Sequence, residues 1–315
     1  MSATSRSKPE IAFLFPGQGS QRVGMLAALE ATDPELVERH LGLAEELSGL
    51  PLRCLCAGGP PEQLMRTEVS QPALLALSLA LIELAREAGL RPAFVAGHSL
   101  GEYAAAVAAE ALGAEDALRL VVRRSRMMAA LQAERPGAMA AVLGPPAATV
   151  AAWCEAASAD RGPVTVANLN APTQTVVSGA QEGVDGVCAL AGEAGARAVH
   201  LPVGGAFHSP QMEPVREALA GAAAAIEWRP AAAPLAANAR GALVSSAAGV
   251  RAALVAQVAA PVRWVECMRA LRAAGCTRFL ELGPGRVLGG LARAIVPDAE
   301  VAAAGSRAAL SAFAA

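Results

Sequence analysis

Residues 93–102 read Ala93-Phe-Val-Ala-Gly-His-Ser-Leu-Gly-Glu102, and the reading of this decamer decides the fold. Phe94, Val95 and Ala96 form a short apolar run of the kind that fills a buried strand. Gly97, Ser99 and Gly101 then satisfy G-x-S-x-G, and Tyr103-Ala-Ala-Ala106 continues helically. Strand, sharp turn and helix in that order are the context a nucleophile elbow needs. Small residues at 97 and 101 let the chain turn tightly enough to lift the Ser99 hydroxyl clear of the sheet. The helix behind it turns its positive end toward any charge that develops there. The plainer alternative is a small-residue turn between a core strand and a helix, so Ser99 needs partners.

Composition narrows the field around that motif. The 315 residues suffice for one large domain, or a large one carrying a smaller insert. Hydrophobic residues make up 54% and charged residues only 17%, with a net charge of −2, so no nucleic-acid partner is expected. The longest candidate membrane segment, Val69 to Ile82, is too short to span and is interrupted by Gln71-Pro72. The polar N-terminus has no apolar signal core. Of the six cysteines, Cys54 and Cys56 give C-x-C, a poor zinc or redox spacing, and Cys154, Cys188, Cys267 and Cys276 are expected as buried free thiols. A soluble, cytoplasmic, metal-free protein is the expectation.

In chain order, Ile11-Ala-Phe-Leu-Phe15 is a buried strand running into Pro16-Gly-Gln-Gly-Ser-Gln21. Gly17, Gly19 and Gly24 do not match a dinucleotide fingerprint in spacing, and no acidic ribose partner follows. A glycine-rich loop there still offers free N–H groups to an oxyanion. Helices are predicted over Pro34–Leu47, Gln71–Gly89 and Ala114–Gln132, and a loop over Arg53–Pro61. From Gly137 to Pro202 the elements shorten to strand, helix, strand, strand, helix, strand, the split βαβ order of a ferredoxin-like unit. An α/β pattern resumes after it: helices over Pro210–Ala225, Ala247–Ala259 and Val265–Ala274, and a strand near Leu235. A strand Arg278–Leu282, a Gly283-Pro-Gly285 turn and a helix Val287–Ile295 follow.

A serine hydroxyl needs a base, and only four histidines are available. His40 is placed on a charged surface helix. His98 adjoins Ser99, and neighbouring side chains leave an elbow in different directions. His200 lies inside the strand Ala198-Val-His-Leu-Pro202. His208, in Gly204-Gly-Ala-Phe-His-Ser-Pro210, sits where a loop delivers a side chain. His208 is the stronger candidate, with His200 as the alternative. Arg124 is out of place on its helix. Arg119, Arg123 and Arg126 make a solvated stripe, but Arg124 falls among Ala117, Val121, Met128 and Leu131 on the apolar face. A guanidinium keeps its proton, so when buried it calls for an anion. Glu102 or Glu281 would serve structurally, and a substrate carboxylate would serve functionally.

Together, Phe15-Pro-Gly-Gln-Gly-Ser-Gln21, Gly97-His-Ser-Leu-Gly-Glu102, Arg124, Ala206-Phe-His-Ser-Pro210 and Glu281-Leu-Gly-Pro-Gly285 resemble the malonyl-CoA:acyl carrier protein transacylases. The acyltransferases of polyketide synthases carry the same set, and the resemblance runs from about residue 10 to 296. It implies an α/β-hydrolase-like large domain, residues 1–136 and 203–315, with a ferredoxin-like insert at 137–202. It implies Ser99 as the acylated nucleophile, His208 as its base, and the backbone N–H groups of Gln18 and Leu100 as the oxyanion hole. By the same resemblance Arg124 would hold the malonyl carboxylate and Gln257 would orient the histidine through its carbonyl. Phe207 and Asn170 would border the acyl pocket. Polyketide-type domains that choose malonyl commonly carry His where this chain has Gly205.

The resemblance implies malonyl-CoA and an acyl carrier protein as partners and no bound cofactor, the phosphopantetheine arm belonging to the carrier. A free-standing monomer serving fatty-acid or polyketide synthesis is expected. Two other functions share these residues. A serine thioesterase or acyl hydrolase would pass the acyl group to water, though it has no use for a buried cation. An inactive carrier-docking module would have no use for Ser99 and His208.

Overall fold

The computed structural model describes residues 10–314. Among the described residues ten strands form two sheets. The strands are β1 (Ile11–Phe15), β2 (Phe94–Gly97), β3 (Ala138–Leu143), β4 (Val164–Ala171), β5 (Gln174–Gly179), β6 (Arg197–His200), β7 (Leu235–Ala237), β8 (Ala242–Val244), β9 (Arg278–Leu282) and β10 (Glu300–Ala304). The larger sheet has the order β10-β9-β1-β2-β7-β8 and is parallel except for β8, which pairs antiparallel with β7. The smaller has the order β4-β5-β3-β6, with every pair antiparallel. The Ala147–Asp160 and Gln181–Glu193 helices pack against it.

The near-continuous apolar runs of β1, β2 and β9 reflect a sheet buried on both faces. Along β1, Phe13 and Phe15 join one core cluster while Ala12 and Leu14 join the other. Val95 of β2 and Leu280 of β9 sit with the first cluster, and Ala96 and Phe279 with the second. The period of two thus divides each strand between two cores. The Thr67–Glu87 helix runs through the first core. At 21 residues it is longer than the sequence suggests, and long and apolar enough to cross a membrane, but 89% of its most apolar stretch is buried in protein.

Several expectations change. Arg53–Pro61 is not a loop: it holds most of a helix, Leu52–Gly58, and the start of another, Pro61–Met65, which bury Leu55, Cys56 and Leu64. Its Gly and Pro residues lie at the helix ends, where they stop and start turns rather than break them. His40 is not at the surface. It is buried, with Nε2 2.7 Å from Glu83 Oε1 of the long core helix. Cys188 is half-buried, not buried, and its Sγ lies 3.7 Å from His200 Nε2. The three-residue β8, and β10 and the Arg307–Ala314 helix, both rich in alanine, are not expected from the sequence.

Candidate active site

Strands β1, β2 and β9 end side by side, so their carboxyl-end loops meet at one edge of the sheet, where open α/β sheets place ligands. The elbow leaves β2 there. Ser99 has φ +52°, a left-handed backbone that costs an L residue roughly 1–2 kcal/mol and has to be held by its surroundings. Glycine is obligatory on either side. A Cβ on Gly97 would run into the Gly101 carbonyl, and one on Gly101 into the Phe15 carbonyl. Two side chains hold the strained residue itself. Asn238, just beyond β7, accepts from Ser99 N–H through Oδ1 at 2.7 Å and donates from Nδ2 to Gly97 O at 2.7 Å. Gln257 Nε2 donates to Ser99 O at 3.1 Å.

His208 lies next to the serine, in a loop that follows β6 by eight residues and also has positive φ, +58°. Its Nδ1 is 2.8 Å from the Gln257 carbonyl oxygen and its Nε2 is 2.8 Å from Ser99 Oγ. A carbonyl oxygen only accepts, so Nδ1 carries the proton and Nε2 presents its lone pair to the Ser99 hydroxyl. Burial, helped by the nearby Arg124 guanidinium, pushes the His208 imidazole down to about 3. It is therefore neutral, and able to accept a proton, throughout the physiological range. The other histidines are elsewhere: His200 is exposed and pairs with Asp185 at 3.2 Å. His98 turns away from Ser99 and donates from Nε2 to Asn170 Oδ1 at 2.8 Å.

Arg124 is 1% exposed and its Nη2 donates to Ser99 Oγ at 2.9 Å. The Ser99 oxygen thus gives its proton to His208 while accepting one from a cation. Neither candidate carboxylate pairs with that cation. Glu281 accepts instead from the Leu288 and Gly289 N–H groups, at 3.2 and 2.8 Å. Glu102 accepts from Asn238 N–H at 3.0 Å, and burial pushes its carboxyl up to about 8, so it stays protonated at neutral pH. Arg124 Nη1 is held by Gln71 Oε1 at 2.5 Å, and Nε is buried without a partner. Nη2 also makes a long 3.5 Å contact to Gln257 Oε1, so a carboxylate that took Nε and displaced that contact would meet the guanidinium in its fork geometry.

These groups line one cavity of about 510 Å³ between the two sheets. Gln18, Gln71, Asn170, Phe207, Met128 and Met139 complete much of its wall. Among the described residues, the backbone N–H groups of Gln18 and Leu100 donate to no other residue. The Phe207 ring fills the space beside Gly205: a Cβ at 205 would sit 2.6 Å from Phe207 Cε1. Glycine there is the counterpart of that ring position. All eight expected site residues thus lie in or directly behind one cavity.

Two residues escaped the sequence reading. Gln71 could have been found by the argument that singles out Arg124, because it is a polar side chain on an otherwise apolar helix. Asn238 carries no such signal; a lone Asn after a short strand is ordinary turn chemistry. Asn238→Ala should leave the Ser99 N–H buried without an acceptor and destabilise the fold by about 1–3 kcal/mol in denaturant titration. The acylation rate should fall with it, since nothing else grips that N–H. An unchanged midpoint and rate would show that the elbow holds its own shape.

A serine hydroxyl, a neutral imidazole and a guanidinium with no carboxylate partner among the described residues meet around one cavity, an arrangement chemically suited to acyl transfer. The chain belongs to the acyl transferase family, whose domain model, "Acyl transferase domain", matches residues 12–310, and within it to the malonyl-CoA:acyl carrier protein transacylases. It is 40% identical over 287 residues to the malonyl CoA-acyl carrier protein transacylase of Bacillus subtilis (strain 168), covering 91% of this chain and 90% of that protein. The Escherichia coli (strain K12) protein of the same name is 39% identical, covering 91% and 93%. Among solved structures, the malonyl-CoA:acyl carrier protein transacylase of Xanthomonas oryzae superposes with a TM-score of 0.91 at 40% identity, covering 98% of each chain. A malonyl-transacylase solved in complex with its type II polyketide synthase acyl-carrier protein gives 0.90 at 38% identity, covering 96% of this chain and 97% of that one.

Proposed function

We propose that the protein transfers a malonyl group from malonyl-CoA, through an ester on Ser99, to the phosphopantetheine thiol of an acyl carrier protein in fatty-acid or polyketide synthesis. One observation carries this reading. Ser99 Oγ lies 2.8 Å from a neutral histidine nitrogen and 2.9 Å from a buried guanidinium that has no protein anion. The first contact suits acyl chemistry, and the second suits an acyl group ending in a carboxylate.

In the first half-reaction His208 Nε2 takes the Ser99 proton as Oγ attacks the thioester carbon. The negative charge passes to the carbonyl oxygen, where the Gln18 and Leu100 N–H groups receive it; one such donor is worth about 2.7–4 kcal/mol. The C–S bond then breaks, and His208 Nε2 returns the proton to the departing CoA sulfur. In the second half the carrier thiol gives its proton to His208 and attacks the acyl ester. The carbon–oxygen bond to Ser99 breaks, and the serine regains its proton. The Gln257 carbonyl keeps the imidazole in one tautomer throughout, the orienting role that a carboxylate fills in many serine triads. The protein itself needs no bound cofactor on this reading.

The same reading divides the chain into an α/β-hydrolase-like catalytic domain, residues 1–136 and 203–315, and a ferredoxin-like insert at 137–202. The elbow serine at the carboxyl end of a parallel strand supports the first, and the antiparallel order β4-β5-β3-β6 with two helices packed on it supports the second.

The test is the intact mass of the protein after malonyl-CoA, followed by addition of holo carrier protein. An adduct that maps to the Ser99 peptide and moves to the carrier is the expected result. An adduct that decays equally fast without carrier means a hydrolase, and no adduct means a docking module. Selectivity offers a finer check. Phe207 lines the cavity, and its ring would crowd a branch at C2 of the acyl group. Phe207→Ser should raise the methylmalonyl-to-malonyl ratio of kcat/KM by roughly 10–200-fold, the range one methyl group can be worth. A constant ratio would mean that the ring does not meet C2.

A further inference from the structure

The motif Glu281-Leu-Gly-Pro-Gly285 has no part in the chemistry above, yet it shapes a second recess. Glu281 caps the Val287–Ile295 helix by accepting from Leu288 and Gly289, which fixes the loop between them. That loop lines a cavity of about 400 Å³ beyond the carboxyl ends of β9 and β10. Two chain segments contribute to the walls of both cavities. Gln21 and Val287 line the first, while their neighbours Arg22 and Arg286 line the second.

The recess has an unusual lining for a chain of net charge −2. Its walls include Arg22, Arg286, Gly24, Gly283, Gly285 and Gly305, and no carboxylate lines it. Both arginines are exposed, and Arg22 Nη1 lies 4.0 Å from where a Cβ on Gly285 would stand. Neither guanidinium meets a carboxylate or carbonyl among the described residues, whereas Arg307 nearby is paired with both Asp33 and Glu87. Two unpaired guanidiniums over glycine backbone make a site for a phosphate, which accepts in forked geometry and tolerates close main-chain approach.

We infer that Arg22 and Arg286 bind the phosphate of the phosphopantetheine arm, the group that CoA and a holo carrier protein share. The inference rests on the transferase reading. The acyl thioester must reach Ser99 while the other end of its arm stays outside, and this basic recess is lined by the chain neighbours of residues that line the Ser99 cavity. One site would then serve both half-reactions, gripping the donor arm and later the acceptor arm at the same atom group.

The test compares wild type with the Arg22→Ala/Arg286→Ala variant in three assays: acylation by malonyl-CoA, acylation by malonyl-N-acetylcysteamine, which has no phosphate, and transfer to holo carrier protein. Both side chains are exposed, so the fold should be unaffected. KM should rise for malonyl-CoA and for the carrier by about tenfold or more, with kcat little changed, as expected for lost charge-assisted bonds. The N-acetylcysteamine substrate should be used equally well by both proteins. Added salt should raise the wild-type KM for malonyl-CoA and affect the variant much less. Arg22→Lys/Arg286→Lys should recover part of the loss. Equal KM values in wild type and variant would overturn the inference, as would a rise for only one of CoA and carrier. An equal loss with the phosphate-free substrate would make the arginines structural. A wild-type protein that no thioester acylates would refute the transferase reading instead, a result distinct from all of these.

Discussion

His208→Ala should slow acylation of Ser99 by about 10²–10⁴-fold, the usual contribution of a placed general base. The variant should still bind substrate, because Arg124 and the cavity wall remain, so the loss belongs in kcat. His200→Ala is the matched control: that side chain is exposed on β6 and should be replaceable without effect. If His200→Ala were crippled and His208→Ala were not, the 2.8 Å contact to Ser99 would have no catalytic meaning. The pH profile gives a second reading of the same residue. Burial holds the imidazole down near 3, so the wild-type acylation rate should stay level through the ordinary histidine range around 6.5. Stability should behave differently. In the window between about 3 and 6.5 the unfolded chain takes up a proton that the folded His208 refuses. His208 therefore makes stability rise with pH across that window and fall as the solution is acidified. A rate that halves near pH 6.5 would show a solvated imidazole and a site more open than this one.

Much of this site could be read from the sequence because its parts carry chemistry at odds with their surroundings. The elbow was legible since glycine at 97 and 101 is forced by backbone contacts that no other residue survives. Arg124 was legible because a guanidinium on an apolar helix face is conspicuous, and Gln71 would have been by the same rule. The anion partner was not. Whether Glu102 or Glu281 met Arg124 depends on which N–H groups each carboxyl already serves: for Glu102 the donor is Asn238, far away in sequence, and for Glu281 it is the helix start just after its own strand. The fold divides similarly. The helical period marked the long elements, and the succession of short apolar runs and helices marked the antiparallel unit. They missed β8, only three residues long, and the Ala-rich β10, which become strands by pairing with β7 and β9. His40 was misplaced for a related reason. Its helix carries an acidic face, but the residue points at Glu83 on the core helix, a partner visible only once the two helices pack.

Arg124→Ala should cut the malonyl-to-acetyl preference in kcat/KM by about 10²–10⁴-fold, from two charge-assisted bonds of roughly 1.5–3 kcal/mol each. The ratio is the right quantity, because Arg124 has a second influence in the empty site. It donates to Ser99 Oγ, and its charge helps keep His208 neutral. Its loss therefore changes the nucleophile and the base for every acyl donor, and both rates should move together on that account. Only malonyl also loses an anion partner, and its carboxylate would then enter a buried cavity without compensation. Dividing one kcat/KM by the other removes the shared part and leaves the carboxylate. Arg124→Lys separates charge from shape. An ammonium restores a cation but cannot offer the forked donors of a guanidinium, and it reaches Gln71 and Ser99 with a single point of donors. It should recover part of the preference and not all of it. Acetyl loading by the Ala variant should at least match the malonyl loading that remains, since a methyl group does not face a desolvation cost. If both variants lost malonyl and acetyl activity in equal proportion, Arg124 would be serving only Ser99 and Gln71, and substrate choice would have to come from elsewhere in the cavity.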